Sequence, residues 1–211
     1  MAIVKHRQSA THRYTPLIIF LVFAIAALYL FINRWKIEEY WRYFAEDRRP
    51  ITFDYDSLSE NWTENSLYER FAHFPIQCRS YIGGLPVERA CGIDVKSHNG
   101  VPALYLAFFF KQDRLQFLSV NIPRWSLRKA KESLRHRFGN PYAGQLLKYN
   151  GVRLAAWKMS NGSAVFLNME EPPGPLSWNS VLWISASQCE ASKCFAEDGL
   201  TVFVKRFFGP K

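Results

Sequence analysis

The side chains that could do nucleophilic or acid–base chemistry lie outside the usual catalytic motifs. A serine or cysteine nucleophile needs a histidine base and an orienting acid. No histidine of this chain falls in an H-E-x-x-H pattern, and no serine falls in G-x-S-x-G. The histidines are His6, His12, His73, His98 and His136. The sequence therefore predicts a protein that is not an enzyme and that has no catalytic residue, metal ion or cofactor.

Two neighbouring carboxylates give the alternative reading. Asp54 and Asp56 form a D-x-D pair, which could hold a divalent cation beside a sugar nucleotide, as in a glycosyltransferase. No nucleotide-binding pattern accompanies the pair, and carboxylates that face solvent in a turn are the simpler interpretation. A membrane-tethered enzyme that acts on envelope glycans or lipids remains the rival hypothesis.

The four cysteines are expected to form structural disulfides. Cys78 and Cys91 are separated by twelve residues, and Cys189 and Cys194 by four, so none of them forms the C-x-x-C pattern of zinc sites and thiol exchange. Sequence alone leaves three pairings open, of which we favour Cys78 with Cys91 and Cys189 with Cys194. Two disulfides require an oxidising compartment.

A strongly basic segment runs from Arg124 to Phe138, with six Arg or Lys residues and one Glu, in a chain whose net charge is +9. At 100° per residue, four of its basic residues form a ridge beside an apolar stripe. The basic ridge consists of Arg124, Arg128, Lys131 and Arg135. It fits anionic lipid headgroups or an acidic protein face, although a solvated helix face explains it equally well. Nucleic acid is not an expected partner.

An apolar segment near the N-terminus predicts a membrane anchor. Residues 16–33 are nearly free of polar side chains, and about 20 helical residues cross a bilayer. We expect residues 1–15 to form a cytoplasmic tail and the rest of the chain to lie in the periplasm, with the anchor in the inner membrane. The A-x-A pattern of residues 24–26 leaves a cleaved signal peptide open, and a mitochondrial targeting segment is a further alternative.

Residues 34–50 are predicted to continue this helix outward as an amphipathic stalk. The apolar and aromatic side chains recur there at helical spacing. The expected interface residues are Ile37, Tyr40, Trp41 and Phe44. This stripe would pack on the protein's own domain, or else on the membrane surface or a partner.

The remaining residues, 51–211, are predicted to form an extracytoplasmic α+β domain. The 211-residue chain is 48% hydrophobic and 16% aromatic, which excludes both a disordered protein and a large multidomain enzyme. Helices are expected over Thr63–Ala72 and Ser126–Phe138, on one face of an antiparallel sheet. Its predicted strands include Ala103–Phe110, Leu115–Ile122, Ala164–Met169 and Val181–Ser187.

A weak internal repeat predicts two related units. The pattern S-L-x-x-R-F begins at Ser66 and again at Ser133. Each copy would form the end of a helix that is followed by strands. The predicted units cover residues 57–123 and 124–187.

The order of helix, F-G-x-P, a strand with Trp157, a hairpin and a closing strand resembles a known class of small periplasmic modules. These are the modules of the outer-membrane-assembly lipoprotein and β-lactamase-inhibitor-protein type. The resemblance covers Leu127–Ala186 and, more faintly, Thr63–Ile122. It implies protein binding or assembly without catalysis. We therefore expect a non-catalytic accessory or scaffolding subunit of an envelope complex whose partners are other membrane or envelope proteins. An inhibitor or ligand-binding module that uses the sheet face around Trp157, Trp178 and Trp183 is the alternative.

Overall fold

The computed structural model describes residues 11–83, 85–141, 147–149, 152–172 and 174–195. Most of the predicted cytoplasmic tail, residues 1–10, lies outside the described residues. So do residues 196–211 of the predicted domain.

Two helices begin the described chain and meet at a sharp bend. Helix α1 spans Thr11–Ile32 and helix α2 spans Arg34–Ala45. Over the described residues, neither helix alone has the length and apolarity to cross a bilayer. The required length and apolarity are met only by a pair of helical segments taken together, which is bent by 69° at Asn33. The two segments are Pro16–Ile32 and Arg34–Ala45. The predicted stalk is therefore a separate helix that ends at Ala45, and it turns onto the domain instead of extending α1.

The domain contains eleven described strands in two sheets. Their bounds are β1 Pro50–Ile51, β2 Ile76–Ser80, β3 Arg89–Asp94, β4 Ser97–His98, β5 Val101–Pro102, β6 Tyr105–Lys111, β7 Arg114–Pro123, β8 Leu147–Tyr149, β9 Val152–Lys158, β10 Ala164–Asn168 and β11 Trp178–Ile184. The small mixed sheet has the order β1-β4-β5, and the large antiparallel sheet has the order β2-β3-β6-β7-β11-β10-β9-β8.

Three short helices complete the α+β fold that the sequence predicts. They are α3 (Glu64–Arg70), α4 (Leu127–Phe138) and α5 (Ala186–Ala191). The side chains of α3 and α4 pack in one core with alternate strand residues, among them Phe108, Trp157 and Trp183. Because side chains alternate along a strand, the neighbouring residues of β11 face the opposite side of the sheet.

That opposite side is also partly covered by helices, which corrects the expectation of helices on one face only. Cys189 of α5 packs in a second core with Phe117, Phe166 and Ile184. Helix α2 covers another part of the same side, through Tyr40 and Tyr43.

Both disulfides join the pairs that the sequence favours. Cys78 bonds to Cys91, which is its direct partner across β2 and β3, and Cys189 bonds to Cys194 just after α5. Within the described residues no cysteine is free. The two bonds point to an oxidising, extracytoplasmic environment.

Replacing Cys78 and Cys91 together by serine is expected to lower the free energy of unfolding by about 3 kcal/mol, because a link between residues 13 apart constrains the unfolded chain. Denaturant unfolding of the full chain in one detergent measures the change. Wild-type protein with all disulfides reduced is the matched reference and should lose at least as much. An unchanged unfolding midpoint would contradict the prediction.

Candidate functional site

The open face of the large sheet, opposite α3 and α4, contains a groove of about 730 Å³. It crosses five strands, from β2 to β11, and lies between α2 on one side and Tyr81 and Leu85 on the other.

The floor of the groove exists because small residues line up across neighbouring strands. Gly92 is paired with Ala107, and Ala107 with Ser119. A Cβ atom on Gly92 would meet no atom closer than 3.9 Å. A row of larger side chains would fill this space, so these three positions determine the depth of the groove.

Aromatic rings form the two ends of the groove. At the α2 end, Trp178 contacts Trp35 edge-on, with ring centroids 5.0 Å apart, and Tyr105 at 6.1 Å. At the other end, Tyr81 packs edge-on against Phe109 at 5.4 Å. Burial raises the pKa of Tyr105 to about 12, so its hydroxyl stays protonated and can donate a hydrogen bond at physiological pH.

A short ladder of polar side chains runs along the floor. Ser180 Oγ donates to Asn121 Oδ1 at 2.8 Å, and Asn121 Nδ2 donates to Ser119 Oγ at 3.3 Å. Ser119 and Asn121 are buried, and buried polar groups are costly unless they are hydrogen-bonded. The ladder satisfies these groups and provides hydrogen-bonding capacity between the two aromatic ends.

Helix α2 is held against the domain by a buried ion-pair cluster. The Arg48 side chain is only 2% exposed, and its Nη1 donates to Glu39 Oε1 at 3.0 Å and to the Leu104 carbonyl at 2.8 Å. Arg42 pairs with Glu39 and with Asp94. Burial raises the pKa of Asp94, and Arg48 opposes that rise. Because Glu39 and Arg42 also line the groove, the cluster positions one of its walls.

The predicted stalk interface is divided by this docking. Tyr40 is buried, its hydroxyl donates to the Ser177 carbonyl at 3.3 Å, and burial raises its pKa to about 12. Ile37 is half-buried. Trp41 and Phe44 are exposed. The alternative of packing on the protein's own domain therefore holds for part of the stripe, and the sequence did not reveal that Glu39 and Tyr43 share that buried face.

The predicted basic ridge is also divided. Arg124 precedes α4, in a 3₁₀ turn, and pairs with Glu171 at 2.7 Å. Lys131 Nζ donates to the Met169 carbonyl at 2.8 Å. Arg128 and Arg135 remain exposed. Two of the four cations are thus tied to the segment that precedes β11.

The two carboxylates of the rival hypothesis are exposed. Asp56 lies in the 3₁₀ turn Tyr55–Ser57, and Asp54 immediately precedes this turn. Asp54 pairs with Arg137. Among the described residues, the one group that meets the distance requirement for a metal site is Glu64 with Cys78 and Cys91. The sulfur atoms of that group are already joined in a disulfide, so it is not available as a ligand set.

Of the three tryptophans expected on a binding face, only Trp178 lines the groove. Trp157 and Trp183 are buried in the core beneath α3 and α4. Their ring nitrogens are satisfied there, since Trp157 Nε1 donates to the Gly139 carbonyl and Trp183 Nε1 to Ser163 Oγ. Their burial agrees with the simpler interpretation of such tryptophans as core residues, which leaves Trp178 as the tryptophan that the ligand-binding alternative could use.

Comparison with known proteins assigns the chain to no family. No protein-family model, curated protein or solved structure matches it. The resemblance to periplasmic assembly and inhibitor modules therefore stays a prediction.

Proposed function

We propose that the chain is a membrane-anchored, non-catalytic accessory subunit of an envelope complex, and that it binds a segment of a partner protein in the groove. The observation that carries this proposal is the groove itself. It combines aromatic ends with a hydrogen-bonding floor, as the binding surfaces of proteins commonly do.

The dimensions of the groove favour an extended polypeptide. Five strands at about 4.8 Å spacing give a length of about 19 Å, which matches roughly six extended residues. Trp178 and Phe109 are separated mainly along the strand direction, so they would contact apolar side chains on opposite edges of a segment that crosses the strands. Ser119 and Asn121 could exchange hydrogen bonds with the backbone between them.

The anchor is supported by the exposed apolar surface of α1. Its side chains from Leu17 to Ile32 are exposed, and these sixteen residues extend about 24 Å at 1.5 Å per residue. The apolar part alone falls short of a span, but the helix continues back to Thr11, and its 22 residues extend about 33 Å. With the disulfides in an oxidising compartment, the arrangement we propose is a single pass through the inner membrane and a periplasmic domain.

The strand order supports two related units within that domain. One half contains α3 followed by β2, β3, β6 and β7, and the other contains α4 followed by β8 to β11. The halves meet where β7 pairs with β11, so that each strand has a counterpart at the same distance from the centre of the sheet. This symmetry fits the repeated S-L-x-x-R-F pattern.

Filling the groove should abolish partner binding without unfolding the protein. Ala107→Trp places a large ring on the floor, and Ala72→Trp is the matched control at an exposed position just after α3. Tagged full-length chains are captured from the native membrane in mild detergent, and co-purifying proteins are quantified by mass spectrometry. We expect a stoichiometric partner with the wild type and with Ala72→Trp, reduced about tenfold or more with Ala107→Trp.

Two results would contradict the proposal. One is a monodisperse monomer from wild-type membranes, without any stoichiometric partner. The other is equal recovery of the same partner by both tryptophan variants at equal thermal stability, which would exclude the groove as the binding site.

A further inference from the structure

Three large aromatic side chains lie exposed beside one another on the membrane-proximal part of the domain. Trp41 is 72% exposed, Phe44 66% and Trp125 53%. We call these three residues the aromatic strip. The Phe44 and Trp125 rings are stacked with centroids 6.0 Å apart, and Trp125 also contacts Tyr40 at 5.3 Å. The strip is therefore fixed to the domain surface by α2 docking.

A basic depression adjoins the strip. This depression, of about 650 Å³, is lined by Trp125 together with three cations and one acid. The charged residues that line it are Arg124, Arg128, Lys131 and Glu171. Glu171 pairs with Arg124. The Arg128 side chain is 90% exposed, and its Nε lies 4.0 Å from Glu132 Oε1. The excess positive charge faces solvent next to exposed aromatic rings.

The bend at Asn33 turns α2 toward the membrane surface. If α1 stands along the bilayer normal, the 69° angle leaves α2 within about 20° of the membrane plane. Around α2, Ile37, Trp41 and Phe44 lie within about 60° of one another, so the side of α2 that carries the strip has an apolar residue closer to α1 as well. Tryptophan is enriched at the interface between membrane and water, and basic residues at that interface attract anionic lipids.

We propose that the aromatic strip enters the headgroup layer of the bilayer that holds α1, and that the basic depression binds the headgroups of anionic lipids. A lipid surface is favoured over a protein partner because two of the three strip residues lie on the helix that directly follows the apolar α1, and because the charged neighbours of the strip are mainly cationic. The inference rests on the anchoring part of the proposed function and is independent of what the groove binds.

Environment-sensitive probes on the full chain in lipid nanodiscs test this proposal. The described cysteines are disulfide-bonded, so an introduced thiol can be labelled with acrylodan. Phe44→Cys reports on the strip, and Glu38→Cys is the control on the exposed polar side of α2. Val22→Cys, within α1, reports on anchoring separately. Quenching by spin-labelled lipid is compared in discs of phosphatidylcholine alone and discs that contain phosphatidylglycerol.

We expect the probe at position 44 to be quenched about twofold or more over the probe at position 38, with the larger effect in the anionic discs. Arg128→Glu with Lys131→Gln, which reverses one cation of the basic depression and removes another, should remove the difference between the two kinds of disc. Quenching at position 22 with equal, aqueous signals at positions 38 and 44 would overturn the docking but leave the anchor in place. The absence of quenching at position 22 would overturn both.

Discussion

Replacing Arg48 with methionine is expected to lower the free energy of unfolding by about 3 to 5 kcal/mol, because it breaks a buried ion pair and leaves the Glu39 carboxylate with the more exposed Arg42 as its remaining partner. The Glu39 side chain, only 10% exposed, would lose its bond to Arg48, and the Leu104 carbonyl would lose a donor. Methionine fills a similar volume, so the lost interactions dominate the expected change. We also expect α2 to detach from the domain before the sheet unfolds.

Chemical denaturation followed by tryptophan fluorescence measures this effect, with the full chain in one detergent. Arg49→Met is the matched control, because Arg49 is the exposed neighbour and its loss should change the free energy by about 0.5 kcal/mol or less. Adding Glu39→Gln to Arg48→Met should recover part of the loss, because a neutral amide costs less to bury than a carboxylate that has lost one of its two partners. Equal stability of Arg48→Met and Arg49→Met would exclude the proposed role of the ion-pair cluster.

Acidification is expected to destabilise the domain through His98. Burial, together with the smaller effect of the positive charge of Arg137, lowers the pKa of His98 to about 3. Its ring lies against Phe53 and near the Tyr55 hydroxyl, 3.4 Å from Nδ1. The unfolded chain binds a proton near pH 6.5 and the folded protein does not. Stability is therefore complete above about pH 6.5 and falls by about 1.4 kcal/mol per pH unit as the pH drops toward 3.

The pH dependence of unfolding between pH 7 and pH 4.5 tests this effect. His98→Phe should flatten the slope, whereas His136→Gln, at an exposed position on α4, should keep it. The raised pKa of Asp94 acts in the opposite direction at low pH, so the informative quantity is the difference between wild type and variant. Equal slopes for wild type and His98→Phe would refute the prediction.

The elements with strong local patterns could be predicted from the sequence. The apolar segments 103–110 and 115–122 are found as β6 and β7, each within a few residues of the expected bounds. Thr63 caps α3 through reciprocal bonds with Ser66. The Asn161–Gly162 turn joins β9 to β10, with Gly162 at a φ of 84° that favours glycine. In each case the deciding interaction lies within a few residues of the chain.

Other features depend on contacts between distant segments, and the sequence could not reveal them. Strands β2 and β3 carry Gln77, Arg79 and Asp94, because one of their faces lines an open groove and needs no apolar side chains. Glu39 and Arg48 are charged residues of types that are mostly exposed to solvent. Their burial depends on pairing with each other and with Leu104.

The candidate site was missed for a related reason. Gly92, Ala107 and Ser119 are unremarkable along the chain and become neighbours only through the register of three strands. The tryptophans show the same limit, since Trp178 and Trp183 lie on one strand but an odd number of positions apart. They therefore face opposite sides of the sheet. The sequence analysis grouped these tryptophans on one face of the sheet only because they are the same type of residue.

The docking of α2 affects how the protein can be prepared for binding studies. A shortened chain that begins at Pro50, the usual way to obtain a soluble domain, would lack Trp35, Glu39 and Arg42 from the groove. It would also expose the ring of Trp178 that Trp35 covers. A weak or promiscuous interaction measured with such a fragment would reflect the missing wall. Ligand screening should therefore begin with a chain that retains α2.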